Sequence, residues 1–229
     1  MKYAPFVCLI ALSLTASPRP RASAQTPGMT KGVSVEMAQT KTAAAYPAAD
    51  NADAWIVAVT ADGHLFFGAK SVTPEQLFDE MKATPRNRDA KLYVKADARS
   101  TFSSLKSALG PARSVQFEEI VLLTSQSTPA PAGGIVSPQG IEVWLVPQRN
   151  EGKIDVRLLS HGHESALTVN GKSVAWSELE STLKNLVRSP NQVVELECDD
   201  TILVSELIRV MDEARKTGAA AALPIFHSL

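Results

Sequence analysis

Short apolar runs and amphipathic stretches follow one another along this chain in an order that occurs twice. An alternating run at Val33–Met37 predicts a first strand, and Trp55–Val59 predicts a second. Asp62-Gly63 is a hairpin signal leading into a third strand, Leu65–Phe67. Thr73-Pro74-Glu75-Gln76 predicts a helix start: Thr73 can accept from a first-turn amide, Pro74 suits the first helical position and Gln76 completes a capping box. Leu77, Phe78 and Met81 then fall at helical spacing. Leu92–Val94 predicts a buried strand and Phe102, Leu105 and Leu109 a second helix, shortened or kinked at Gly110-Pro111. Ile120–Leu123 closes the unit.

The second unit reads likewise. Its strands are expected at Ile141–Val146, Ile154–Leu159, Leu167–Val169, Val193–Leu196 and Ala222–Phe226. Leu179, Leu183 and Leu186 mark one helix, with Ala175 a poorer cap than Thr73. Val204, Leu207 and Met211 mark the other, which Gly218 ends as a left-handed cap. Each unit is thus β-β-β-α-β-α-β.

The two units are similar in detail. Lys70-Ser71-Val72 returns as Lys172-Ser173-Val174, 102 residues further on, and the same offset relates Leu65 to Leu167, Leu77 to Leu179, Asp97 to Asp199 and Ala112-Arg113 to Ala214-Arg215. The register needs no gap as far as Val121 and Leu223. Upstream, Gly32–Met37 resembles Gly140–Leu145 at an offset of 108, which makes the first unit longer by about six residues, within Thr42–Asp53. A tandem duplication accounts for this. The fold class expected is α+β: two similar two-layer domains, 25–127 and 140–229, each a mixed β-sheet with two helices packed on one face. Residues 128–139, rich in Pro, Gly and Ser, read as a solvated linker.

Ahead of these units, Lys2, an apolar stretch from Tyr3 to Ala16 and Ala22-Ser23-Ala24 read as a signal peptide over 1–24, with an uncleaved inner-membrane anchor facing the periplasm as the alternative. The apolar stretch is shorter than the roughly 20 residues of a membrane span. Cleavage removes Lys2, Arg19 and Arg21, taking the net charge from −1 to −4, and leaves Cys198 as the single cysteine. Neither that charge nor the 6% aromatic content suits a nucleic-acid surface. One cysteine builds no disulfide framework.

The candidate chemistry is sparse. Asp97 and Asp199, the carboxylates that keep register between units, are read as caps of the helices that follow, or else as an acidic contact for a partner. Lys70 and Lys172 read as solvated turn residues, or as ligands for a carboxylate or a glycan. His161-Gly162-His163 supplies half a metal site, and the first unit offers only His64 on that loop. Cys198 is expected to be buried, and its acidic neighbours Glu197, Asp199 and Asp200 would raise its pKa rather than activate it. No nucleophile elbow, phosphate loop, zinc motif or dinucleotide fingerprint is present. We expect no catalytic, metal-binding or cofactor-binding residues, and no enzyme.

Three phrases carry a family resemblance: Val57-Ala58-Val59-Thr60-Ala61-Asp62-Gly63, Val72-Thr73-Pro74-Glu75-Gln76-Leu77 and Tyr93-Val94-Lys95-Ala96-Asp97. Their counterparts are Leu196-Glu197-Cys198-Asp199 and, downstream, Ala214-Arg215-Lys216-Thr217-Gly218. In order and spacing the chain resembles the periplasmic domain of the ExbD/TolR family of biopolymer transport proteins, over nearly all of 32–127 and more weakly over 140–229. The resemblance implies a non-enzymatic component of a TonB/Tol-type envelope energy-transduction and transport system, working in the periplasm with ExbB/TolQ- or TonB/TolA-type partners. A periplasmic peptidoglycan or small-ligand binding module is the alternative. The family's proton chemistry uses an aspartate in a transmembrane helix, whereas Tyr3–Ala16 contains no acid. The first strand of each unit is a candidate for edge pairing, with a partner or a second copy.

Overall fold

The computed structural model describes residues 33–85, 90–126, 137–147, 152–161, 164–189 and 192–225. The first half holds β1 (Gln39–Thr40), β2 (Ala44–Ala45), a 3-10 turn at Pro47–Asp50, β3 (Trp55–Val59), β4 (Leu65–Phe67), β5 (Lys70–Val72), α1 (Pro74–Ala83), β6 (Leu92–Ala96), α2 (Phe102–Ser114) and β7 (Glu119–Gln126). The second holds β8 (Gln139–Trp144), β9 (Ile154–His161), β10 (Glu164–Val169), β11 (Lys172–Val174), α3 (Leu179–Leu186), β12 (Val193–Cys198), α4 (Val204–Lys216) and β13 (Ala220–Ala222).

The fold is α+β with one mixed sheet, ordered β11-β10-β9-β12-β13-β8-β7-β6-β3-β4-β5. Each half has the same internal order, β5-β4-β3-β6-β7 and β11-β10-β9-β12-β13. Where two separate sheets are expected from the sequence, antiparallel pairing of β7 with β8, from Glu119↔Trp144 to Thr124↔Gln139, joins them. β8 also runs parallel to β13, so it is an interior strand and not a free edge. Val33–Met37 does not form its expected strand. The lane beside β7 is filled by β8, and the N-terminal segment makes only a bridge from Met37 to Asp97 before β1 pairs with Ser125 and Gln126 at the far end of β7.

Local chemistry explains most elements. Thr73 Oγ1 accepts from Gln76 N (3.2 Å) and Gln76 Oε1 from Thr73 N (2.9 Å), the capping box expected of that sequence. Asn170 and Gly171, at φ of 49° and 77°, turn β10 into β11, as a two-residue hairpin loop requires. The two Lys-Ser-Val phrases, expected as turns, are the strands β5 and β11, paired from Leu65↔Val72 and Leu167↔Val174. α2 runs through Pro111 to Ser114, 13 residues like α4, so Gly110-Pro111 does not shorten it. The left-handed residues after the two helices are Gln116 (φ 69°) and Gly218 (φ 85°), 102 residues apart.

From β4 and β10 onward the offset changes in the last strand; ahead of them Trp55, opposite Leu92, matches Ile154, opposite Val194, at an offset of 99. Leu122 and Leu223 face the helices, whereas Val121 faces away, and a one-residue slip exchanges the faces of a strand. Leu122 therefore matches Leu223 at an offset of 101, correcting the ungapped pairing of Val121 with Leu223. The final strand also ends early, at Ala222 rather than Phe226, because Pro224 has no N–H to continue the ladder with β12.

Every helix buries its apolar stripe in one core shared by both halves, with Leu77, Leu105, Leu183 and Leu207 fully covered. The opposite face of the sheet differs between the halves. In the first half Ile56, Tyr93, Val121 and Leu123 are buried there beneath Met37, Tyr46, Ala49 and Ala54 of the longer N-terminal arm. In the second half the same face carries Asp155, Arg157, Glu195 and Glu197. The extra residues of the first unit thus act as a cover.

Candidate functional site

The site begins where the β12–β13 ladder stops, at Glu195↔Ala222. Past that point the N–H groups of Leu223 and Ile225 bond to Trp144 and Leu145 instead, at 2.7 and 2.9 Å. β12 and the final segment part, and a cleft of about 510 Å³ opens between them, lined by Lys106, Lys153, Arg157, Glu197, Cys198 and Pro224 among others. Its charges are paired: Lys153 lies 3.0 Å from Glu195 and 3.2 Å from Asp155, Arg157 lies 2.9 Å from Glu197, and Lys106 pairs with Asp200. The second carboxylate oxygen of Glu195 is buried without a hydrogen-bond partner among the described residues. Such a slot offers contacts and one spare acceptor.

Cys198 sits at the end of β12 as a free, half-buried thiol. Burial, and after it the carboxylates of Asp199, Glu197 and Glu206, pushes its pKa up. Since the thiolate is the reactive form, alkylation of the folded protein at pH 8 should be slower than that of the urea-unfolded chain by more than tenfold. Equal rates of iodoacetamide labelling would refute this burial.

The two register-matched aspartates do different work, and neither caps a helix. Thr101 Oγ1 takes Ser104 N at the start of α2, and Leu203 begins α4 without a side-chain acceptor. Asp97, 3% exposed, instead holds the N-terminal arm. It accepts from Arg99 Nε (2.8 Å), Arg99 Nη2 (2.9 Å) and the backbone N–H groups of Arg99 and Glu36 (both 3.1 Å). The Arg99 guanidinium, with those amides behind it, holds the carboxyl well below its usual range against the opposing effect of burial. Asp199 is exposed and accepts from Ser160 N at 2.7 Å, fastening β12 to β9.

A carboxyl with a depressed folded-state pKa stabilises fully above its unfolded pKa near 3.8, and the stabilisation is lost as pH falls through that value towards the folded one. Asp97→Asn should therefore lower stability at pH 7 by about 2 kcal/mol and flatten the decline below pH 4. Urea titrations from pH 7 to pH 3 measure both, and an unchanged acid limb would contradict the assignment.

The remaining predicted residues do not converge. Lys70 pairs with Glu80, while Lys172 is exposed on β11. His161 is exposed at the end of β9, Gly162 and His163 lie outside the described residues, and His64 lies 3.3 Å from Asp62 on the β3–β4 turn of the other half. Among the described residues no group of three His, Cys, Asp or Glu could hold a metal ion, and no helix is long and apolar enough to cross a membrane. The predicted signal peptide, with Cys8, lies outside the described residues, as does most of the predicted linker.

Two features have no counterpart in the sequence reading. Lys91, ahead of β6, pairs with Glu142 of β8 and lies 3.4 Å from Glu119 of β7, beneath Tyr46. Burial and then Glu142 push the Tyr46 phenol up to about 12. Asp212 of α4, 7% exposed, accepts from Lys41 N (3.0 Å), Thr42 N (2.9 Å) and Thr42 Oγ1 (2.6 Å). A charged residue flanked by Val210, Met211 and Ala214 was the available signal.

Sheet and one-sided helices together define an α+β fold with one mixed sheet. A family model described as Biopolymer transport protein ExbD/TolR matches residues 130–222, from before β8 through β13. The match falls on the half where the resemblance by sequence phrases is the weaker. No curated protein and no solved structure matches the chain.

Proposed function

We propose that the protein is a non-enzymatic component of a TonB/Tol-type envelope energy-transduction and biopolymer transport system, acting through protein–protein contacts in the periplasm. The family match over 130–222 carries this reading. The absence of any acid from Tyr3–Ala16 separates it from the proton-carrying step, because a membrane helix needs a protonatable carboxylate for that work. The role left is to dock. Each half is one copy of a duplicated unit on this reading, supported by the shared strand order and by paired features such as the left-handed residues at 116 and 218. The second copy keeps its polar sheet face and cleft open, whereas the first copy's sheet face lies under the arm.

The cations of the cleft are each matched by a carboxylate, which gives the peptidoglycan or small-ligand alternative no specific support. Affinity capture of the tagged protein from a cross-linked envelope fraction should recover ExbB/TolQ- or TonB/TolA-type proteins. Capture of none of them, alongside co-sedimentation with purified peptidoglycan, would favour the alternative. The N-terminal residue of the mature protein tests export: Gln25 is expected, and an intact Met1 would place the protein on the membrane.

A further inference from the structure

The turns that lead into α2 and α4 meet at the middle of the molecule, Thr101 opposite Leu203 in an isolated antiparallel bridge. Four backbone bonds flank it. Phe102 N donates to Ile202 O at 2.7 Å and Val204 N to Ser100 O at 2.9 Å; Ser103 N donates to Asp200 O at 2.9 Å and Ser205 N to Ala98 O at 3.0 Å. Within each pair the donor of the second bond lies 102 residues after that of the first and its acceptor 102 residues before, so the halves exchange roles. Residue i of one half binds j of the other, and j binds i in return, which is the signature of an isologous contact about a two-fold axis.

The contact also answers a local need. The first four N–H groups of a helix have no acceptor within it. In α4 no side chain of Leu203 supplies one, and in α2 Thr101 serves Ser104 alone. Carbonyls of the opposite half take two of them in each helix, Phe102 N and Ser103 N in α2 and Val204 N and Ser205 N in α4. We propose that the turns at 98–103 and 200–205 are one self-complementary binding surface, present twice, and that the partner it fits is its other copy in the same chain. One chain is then a complete pair. This surface is closed to a second molecule, and an outside partner must use the outer ends or the second half's open face. The inference stands apart from the envelope reading, since it concerns only how the halves bind each other.

A direct test exploits the bridge geometry. Opposed residues of a narrow antiparallel pair have Cα atoms about 4.5 Å apart, within disulfide reach. The full chain carrying Thr101→Cys and Leu203→Cys, with Cys8→Ser and Cys198→Ser, should oxidise to an intrachain disulfide and remain a monomer by light scattering. Two free thiols after oxidation, or a bond linking two chains, would overturn the proposal. A measurement on the unaltered protein guards against misfolding of that variant. Hydrogen exchange at the amides of Ser103 and Ser205 should be slowed roughly a hundredfold or more relative to an unstructured chain. Exchange at the free rate at both amides would equally overturn it, because the side chain of Ser103 is exposed and only the bond to Asp200 O protects its amide.

Discussion

Asp212→Ala should lower stability by about 3 kcal/mol, although the residue lies outside the cleft. Its carboxylate is the meeting point of Lys41 N, Thr42 N and Thr42 Oγ1, and Arg215 Nε closes the same loop on Thr42 O at 3.2 Å. A hydrogen bond to a charged acceptor contributes about 1.5–3 kcal/mol, and bonds sharing one acceptor do not add fully. Truncation also leaves the donors of residues 41 and 42 without a replacement. Asp212→Asn, which keeps one acceptor for Thr42, should cost about half as much. The loss should appear first in the arm, so limited proteolysis within 33–46 should quicken in Asp212→Ala before global unfolding does. A change below about 0.5 kcal/mol, the ordinary range of surface substitutions, would show that α4 does not hold the arm.

Gly140→Ala should be comparably damaging, by about 2–3 kcal/mol, for a steric reason. A Cβ at this position of β8 would lie 2.5 Å from Val121 Cγ1 and 2.8 Å from the Leu122 carbonyl oxygen. Val121 is fully buried and Leu122 O belongs to the backbone of the neighbouring strand, so neither can move cheaply. The joint between the halves must open to admit the methyl group. Gly110→Ala is the natural control: nothing lies within 4 Å of its added Cβ. Urea unfolding of the two variants side by side should show the clearly larger loss for Gly140→Ala. A neutral Gly140→Ala would mean that β7 and β8 are not in the register described.

The sequence displays those features that local chemistry decides. Thr73 and Gln76 announce α1, Gly218 announces the end of α4, and the 102-residue offset relates elements that occupy matching places in the strand order. Long apolar runs such as Trp55–Val59 even signal burial on both faces, against the alternation of Ile154–Leu159, where one face stays polar. Three-residue strands such as Lys70–Val72 are too short for a period to show, so they read as turns. The join between β7 and β8 depends on pairing across residues 127–136, and no pattern in either strand names its partner. The acceptors for the first two amides of α2 and α4 are backbone carbonyls, which every residue possesses; the unhelpful Leu203 at the cap position of α4 hinted that an acceptor lay elsewhere. Asp97 and Asp199 illustrate the same limit. Matched in sequence, they diverge in role because the N-terminal arm passes one of them and not the other.

Scanning calorimetry of the whole protein addresses the joined, mutually capped body most directly. With one core and one sheet spanning both halves, heating should give a single transition whose calorimetric and van't Hoff enthalpies agree, from residues on both sides of the linker together. Two separable transitions, each with about half the heat, would mean that the halves are independent domains that merely touch.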